Sequence, residues 1–261
     1  MLENVLNFRD VAETINALAG KRYWRMDFSS GVLETEHINQ AKKRKANISS
    51  SQLMPQTNNA VSDPVKLPGV HYAEINLNGG RFERALLGQL GWFDLSKLIW
   101  LMALGYRNEG ISVLGKNVMQ PRGLIGLGID TLDNSVQEIR QIFDILAYPE
   151  NYPILVHCTQ GKDRTGLTIL LVLFLLHIDK QYVSADYIMS EKELESEMEE
   201  RMKEISSIGL DEEFARCPPD FVDQIWVHIQ EQYGGIGKYL EFASVDKEMQ
   251  AAVKRRLEVT H

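Results

Sequence analysis

Between Ser135 and Ala147 the apolar residues Val136, Ile139, Ile142, Phe143 and Leu146 recur at three- and four-residue intervals. That spacing predicts a helix with one buried face, and Asp133 and Asn134 stand ahead of it as candidate caps. The run Pro153-Ile154-Leu155-Val156-His157, bounded by proline and a polar, glycine-containing loop, reads as a short, fully buried strand. Val70 to Leu77 is also strand-like. Leu167 to Leu176 is apolar almost all round, with Thr168 inside it. It falls well short of the roughly 20 residues a membrane-spanning helix needs, so a buried helix is expected and no integral membrane segment.

Further along, Leu194, Met198, Met202 and Ile205 form one stripe of a helix expected over Ser184 to Ile205, whose other faces are strongly acidic. A solvated amphipathic helix explains those acids better than a basic partner does. Pro218-Pro219-Asp220 opens another helix through Gln230, Gly234-Gly235 breaks it, and Asp246 to Leu257 repeats the helical pattern. The expected architecture is therefore α/β, a central and mostly parallel sheet flanked by helices, with a mainly helical portion over 184–261. A single domain over 1–261 accommodates all of it. Glu34 to Asp63 stands apart, rich in Asn, Ser, Gln and Lys, and reads as a mobile polar surface insertion. Its basic tetrad Lys42-Lys43-Arg44-Lys45 is read as a hydrated run, with nuclear access or contact with acidic lipid as the functional alternatives.

Charge narrows the function. The 261 residues include 28 Lys and Arg against 36 Asp and Glu, a formal net charge of −8, which disfavours general affinity for nucleic acid. An anionic substrate must then be met by a local concentration of donors. The two cysteines, Cys158 and Cys217, and the absence of a leader pattern at the amino terminus suggest a reducing, cytoplasmic setting.

The informative stretch is His157-Cys158-Thr159-Gln160-Gly161-Lys162-Asp163-Arg164-Thr165-Gly166, between the expected strand and the apolar helix. A strand that ends in a tight loop and feeds a helix amino terminus aims several backbone N–H groups at one point, a good site for a phosphate dianion. Amides and an arginine beside Cys158 would favour its thiolate, a nucleophile able to attack phosphorus in line. Thr159, Gln160, Gly161, Lys162, Asp163 and Arg164 would then surround the phosphate. Arg164, six residues after Cys158, offers a planar fork to two phosphate oxygens, and Thr165 is placed to donate to the departing thiolate. A leaving alkoxide or phenoxide needs a proton. Asp163 ranks first as its source, Asp130 second, with Asp133 on the same approach. His157 is expected to be an orienting core histidine and Cys217 to be structural. No metal or other cofactor is expected.

This stretch resembles the phosphate-binding loop of cysteine-dependent protein tyrosine phosphatases, Cys-x5-Arg-Thr-Gly. In full it is similar to that of an atypical fungal and bacterial group, to which a mycobacterial triple-specificity enzyme belongs. Asn7-Phe8-Arg9-Asp10, Tyr23-Trp24-Arg25-Met26-Asp27 and Tyr233-Gly234-Gly235 through Tyr239-Leu240 look like further elements of the group's pattern. The resemblance implies a phosphatase-like fold and hydrolysis of phosphotyrosine, and in that group also of phosphoinositides, with Cys158 as nucleophile and Arg164 as phosphate clamp. Asp163 stands where myotubularin-like and Sac-like lipid phosphatases also carry an aspartate, and Lys162 would favour heavily charged head groups. The group's Asp-Leu-Arg-Ser stretch is absent, since Phe28-Ser29-Ser30-Gly31 passes almost directly to Glu34-Thr35-Glu36-His37. The alternative reading is a phosphate-binding module without turnover, recognising a phosphoprotein or an inositol lipid.

Overall fold

An apolar run with no polar face has to be surrounded, and Leu167 to Leu175 is. The computed structural model describes residues 9–20, 28–30 and 71–258, and at its centre lies the helix Asp163–Leu175 (α7, numbered in chain order), with every residue from Leu167 to Leu175 buried. Phe143 and Leu146 of the helix Val136–Ala147 (α6) belong to the same core. So do Ile225 and Ile229 of the helix Phe221–Tyr233 (α10), and Tyr239 and Leu240 of Ile236–Phe242 (α11). The Phe174 and Trp226 rings meet in a T-shaped arrangement with 4.7 Å between centroids, a favourable aromatic geometry.

The expected central, mostly parallel sheet is not what forms. Among the described residues the strands are Arg9–Asp10 (β1), Phe28–Ser30 (β2) and Ile154–Val156 (β3), and helices, of which Val11–Ala19 (α1) is the first, dominate the rest. β1 pairs antiparallel with β2, Asp10 opposite Ser29, and β2 pairs parallel with β3, Ser29 opposite Leu155. Strands of two or three residues make a ribbon, not a layer that helices can cover on both faces. The apolar surface of α7 is accordingly buried against other helices. Residues 71–76 have no regular structure although they are strand-like in sequence, because no strand among the described residues pairs with them. The Asn78 N–H donates to Asn76 Oδ1 at 3.1 Å and turns the chain there. β3 is half-buried, not fully buried, with β2 on one side.

The helical expectations fare better, with shifted boundaries. Asp133 and Asn134 do not cap α6. They end the preceding helix Gln120–Asn134 (α5), which kinks at Gly123, where φ is +63°. The helix expected from Ser184 to Ile205 is two, Lys180–Glu193 (α8) and Met198–Ser207 (α9), joined by a short 3-10 turn at Glu195–Glu197. Gly234 ends α10 in the left-handed conformation, φ +76°, and Asp246 caps Lys247–Leu257 (α12) by accepting the Met249 N–H at 2.8 Å. Residues 34–63, with the basic run 42–45, lie outside the described residues.

A second, smaller cluster joins Gly80–Gly88 (α2), Trp92–Ala103 (α3) and Arg107–Leu114 (α4) through Phe82, Leu86, Leu98, Leu101 and Val113. No residue of α3 is fully buried, and Trp92, Phe93, Ile99 and Trp100 are exposed. Among the described residues no helix is long and apolar enough to cross a membrane.

Candidate functional site

Strand β3 ends at Val156 and α7 begins at Asp163, so the six residues 157–162 must reverse the chain. Gly161 makes that reversal possible. It is buried with φ at +63°, a conformation that costs a side-chain-bearing residue about 1–2 kcal/mol. The Gly166 N–H bonds the Lys162 carbonyl at 2.7 Å, which closes the first turn of α7. The loop therefore sits on the amino end of a thirteen-residue helix, where free N–H groups and the helix dipole favour an anion.

Cys158 is half-buried at the start of this loop, not packed away from solvent. Burial works against ionisation of its sulfur. Hydrogen bonds from the Thr165 hydroxyl and N–H, the Arg164 charge and the Gln160 N–H outweigh it, and the thiol lies below its ordinary value. The Thr165 hydroxyl is buried and bonds no oxygen or nitrogen of the described residues, and its effect is on the Cys158 sulfur, whose ionised form it favours. Arg164 folds over the loop, with Nη2 donating to Thr159 Oγ1 at 2.9 Å. That contact uses one of five guanidinium N–H donors.

Lys162 and Asp163 are arranged differently from a pair facing a ligand. The Lys162 ammonium turns into the protein, fully buried, and donates to the carbonyls of Phe214 at 3.2 Å and Arg216 at 2.8 Å. Asp163 Oδ1 is buried 3.4 Å from that ammonium while its side chain as a whole is 35% exposed, so Oδ2 carries the solvent-facing side. Asp163 is thus in the loop, at the first helical position, with one oxygen turned inward.

The other carboxylates are committed elsewhere. Asp130 is buried on α5, where Arg122 Nε and Nη2 donate to its two oxygens at 2.9 and 2.5 Å and Gln89 adds a 3.4 Å contact. Asp133 accepts from the Tyr233 hydroxyl at 2.6 Å and lies 2.7 Å from His228 Nε2, which ties α5 to α10. His157 is exposed, and its Nδ1 lies 3.4 Å from the carbonyl of its own neighbour Cys158. The expected core histidine is not found, because the loop leaves the strand before that side chain reaches the interior. Cys217 is buried, and burial first of all pushes its thiol up to about 11, so it is inert at neutral pH. Among the described residues no group of three or more His, Cys, Asp or Glu side chains is placed to hold a metal ion.

Sequence reasoning missed the residues behind the loop. Tyr187 of α8 packs against Gly166 so closely that an added Cβ there would lie 3.1 Å from its ring, and the ring stacks on Phe221 with centroids 4.7 Å apart. Glu191, also on α8, accepts the Cys217 N–H at 3.0 Å and lies 3.4 Å from Arg216 Nη1. Only Gly166 carried a hint, as a small residue where a helix is crowded.

Residues 100–259 match the family model described as the tyrosine phosphatase family. The triple specificity protein phosphatase PtpB of Mycobacterium tuberculosis is 27% identical over 141 residues, covering 48% of this chain and 49% of that protein. A tyrosine-protein phosphatase of Nostoc commune is 26% identical over 138 residues, covering 49% of this chain and 47% of that one. The chain spans about half the length of these curated relatives.

Proposed function

The chain belongs to the tyrosine phosphatase family, and on that footing we propose that it hydrolyses phosphoric monoesters through a phosphocysteine intermediate. The Cys158 thiolate attacks phosphorus, and the P–O bond to the leaving group breaks as S–P forms. Loop N–H groups and the Arg164 fork hold the three equatorial oxygens as charge spreads over them. Asp163, through its solvent-facing oxygen, gives a proton to the leaving alkoxide or phenoxide. It then takes one from the water that attacks the phosphocysteine, which releases inorganic phosphate and restores the thiolate. Thr165 stabilises that departing sulfur.

One observation carries this reading: a half-exposed sulfur at the end of β3 whose ionised form is favoured by Thr165, Arg164 and Gln160 at the amino end of α7. The proposed substrates are phosphotyrosine proteins, with phosphoinositides as the second class. Phosphate release from a panel of phosphopeptides and inositol lipids tests both, with Cys158→Ser as the blank. Release from the peptides by the intact protein alone is expected. Binding of phosphate without release by the intact protein would leave only the alternative reading, a recognition module without turnover.

A further inference from the structure

A fully buried ammonium is rare because removing it from water costs several kcal/mol unless its N–H groups are satisfied. Lys162 meets that condition without any ligand. Two N–H groups are bonded to the Phe214 and Arg216 carbonyls, and the charge is balanced by the Asp163 carboxylate, an ion-pair neighbour at 3.4 Å. The acceptors belong to one strap. Its 3-10 turn Glu212–Ala215 is opened by Asp211, which accepts the Glu213 N–H at 3.1 Å, and its far end is fastened by Glu191 to the Cys217 N–H. The loop is thereby connected to α8 through two consecutive sets of polar contacts, Lys162 to the strap and the strap to Glu191.

We propose that Lys162 is a positioning residue: its buried ammonium anchors the Cys158 loop to the Phe214–Arg216 strap and orients Asp163, and it does not bind a phosphate or inositol head group. To reach a ligand the ammonium would have to abandon both carbonyls, and the buried Phe214 contact would be left unsatisfied. The strap and Glu191 consequently set the geometry of the loop for every substrate alike. This inference rests on the phosphatase reading for its kinetic consequence but not for its structural one.

The test uses the full chain with Lys162→Met and, because loss of a buried anchor can impair folding, also Glu191→Gln, which loosens the strap while leaving Lys162 in place. Three readouts are compared: kcat and KM on a small aryl phosphate, the same constants on a soluble inositol polyphosphate, and the pH profile of Cys158 alkylation by iodoacetamide. Lys162→Met is expected to lower kcat on both phosphates by the same factor, about ten- to a hundredfold for displaced catalytic groups. The inflection of the alkylation profile should move to higher pH. Glu191→Gln should shift both readouts in the same direction by less. A selective rise in KM for the inositol polyphosphate, with the aryl phosphate unaffected, would overturn the proposal and place the ammonium on the ligand. An unchanged alkylation profile in both variants would overturn it as well. If the intact protein releases no phosphate from either compound, the phosphatase reading fails, and the alkylation profiles still decide whether the anchor exists.

Discussion

A thiol surrounded by amide and hydroxyl donors, with a guanidinium alongside, is a different reagent from a free one. Cys158 gains its thiolate from Thr165, Arg164 and Gln160 against the opposing effect of burial. Its folded value is depressed, so the reactive anion is present above that value and disappears as pH falls through it. Alkylation of Cys158 should therefore persist to lower pH than that of an unperturbed thiol, and Thr165→Ala should move the inflection upward. Identical profiles for the two proteins would show that Thr165 does not stabilise the thiolate. Cys217, up at about 11, should remain unmodified at neutral pH. For the proton donor, Asp163→Asn should depress turnover of a poor leaving group far more than that of a good one. Asp130→Asn should act through stability, because it breaks the Arg122 pair; a leaving-group dependence in this variant instead would exchange the two roles. The Cys158 to Arg164 spacing was readable in sequence because the whole loop is local. The direction of Lys162 was not, since its partners lie 52 and 54 residues away.

At the scale of elements, α7 is the scaffold on which the loop depends, and its burial was legible because nine successive buried residues leave no polar face. Phe174 is fully buried against Trp226. Phe174→Ala should cost about 3–5 kcal/mol of stability, the usual loss for an aromatic removed from a core, measured by urea denaturation. An unchanged midpoint would mean that the helix is not packed as described. The strand expectations held less well. Ile154–Val156 forms where the apolar run predicted it, but its partner Phe28–Ser30 is more than 120 residues earlier in the chain, and pairing at that separation has no signature in either segment. Residues 71–76 carry the strand pattern and lack a neighbour to pair with. Pattern describes what a segment can bury, whereas a strand also needs a second edge.

Over the whole molecule the field opposes the site. A chain of net charge −8 repels a phosphate dianion at long range, while in the proposed site Arg164 and the amides of α7 attract it at short range. Salt screens the first effect more than the second, because the Debye length shrinks from about 30 Å at 0.01 M to about 8 Å at 0.15 M. The kcat/KM for an acidic phosphopeptide should consequently rise, relative to that for a basic one, as ionic strength increases over this range. A ratio that stays constant would show that the global charge is not felt at the loop. Composition made the sign of this field plain from the start. The sequence did not foretell that helices, not a central sheet, would enclose α7, because a buried apolar helix can rest on either kind of surface.

In the proposed reaction phosphate passes covalently through the sulfur of Cys158. The most direct measurement of that step is rapid acid quenching of the protein during turnover of a radiolabelled aryl phosphate, followed by peptide mapping. The label is expected on the peptide that contains Cys158, at up to one phosphate per chain, and is expected to vanish in Cys158→Ser. Phosphate release that continues in Cys158→Ser, or label recovered on any other residue, would contradict it.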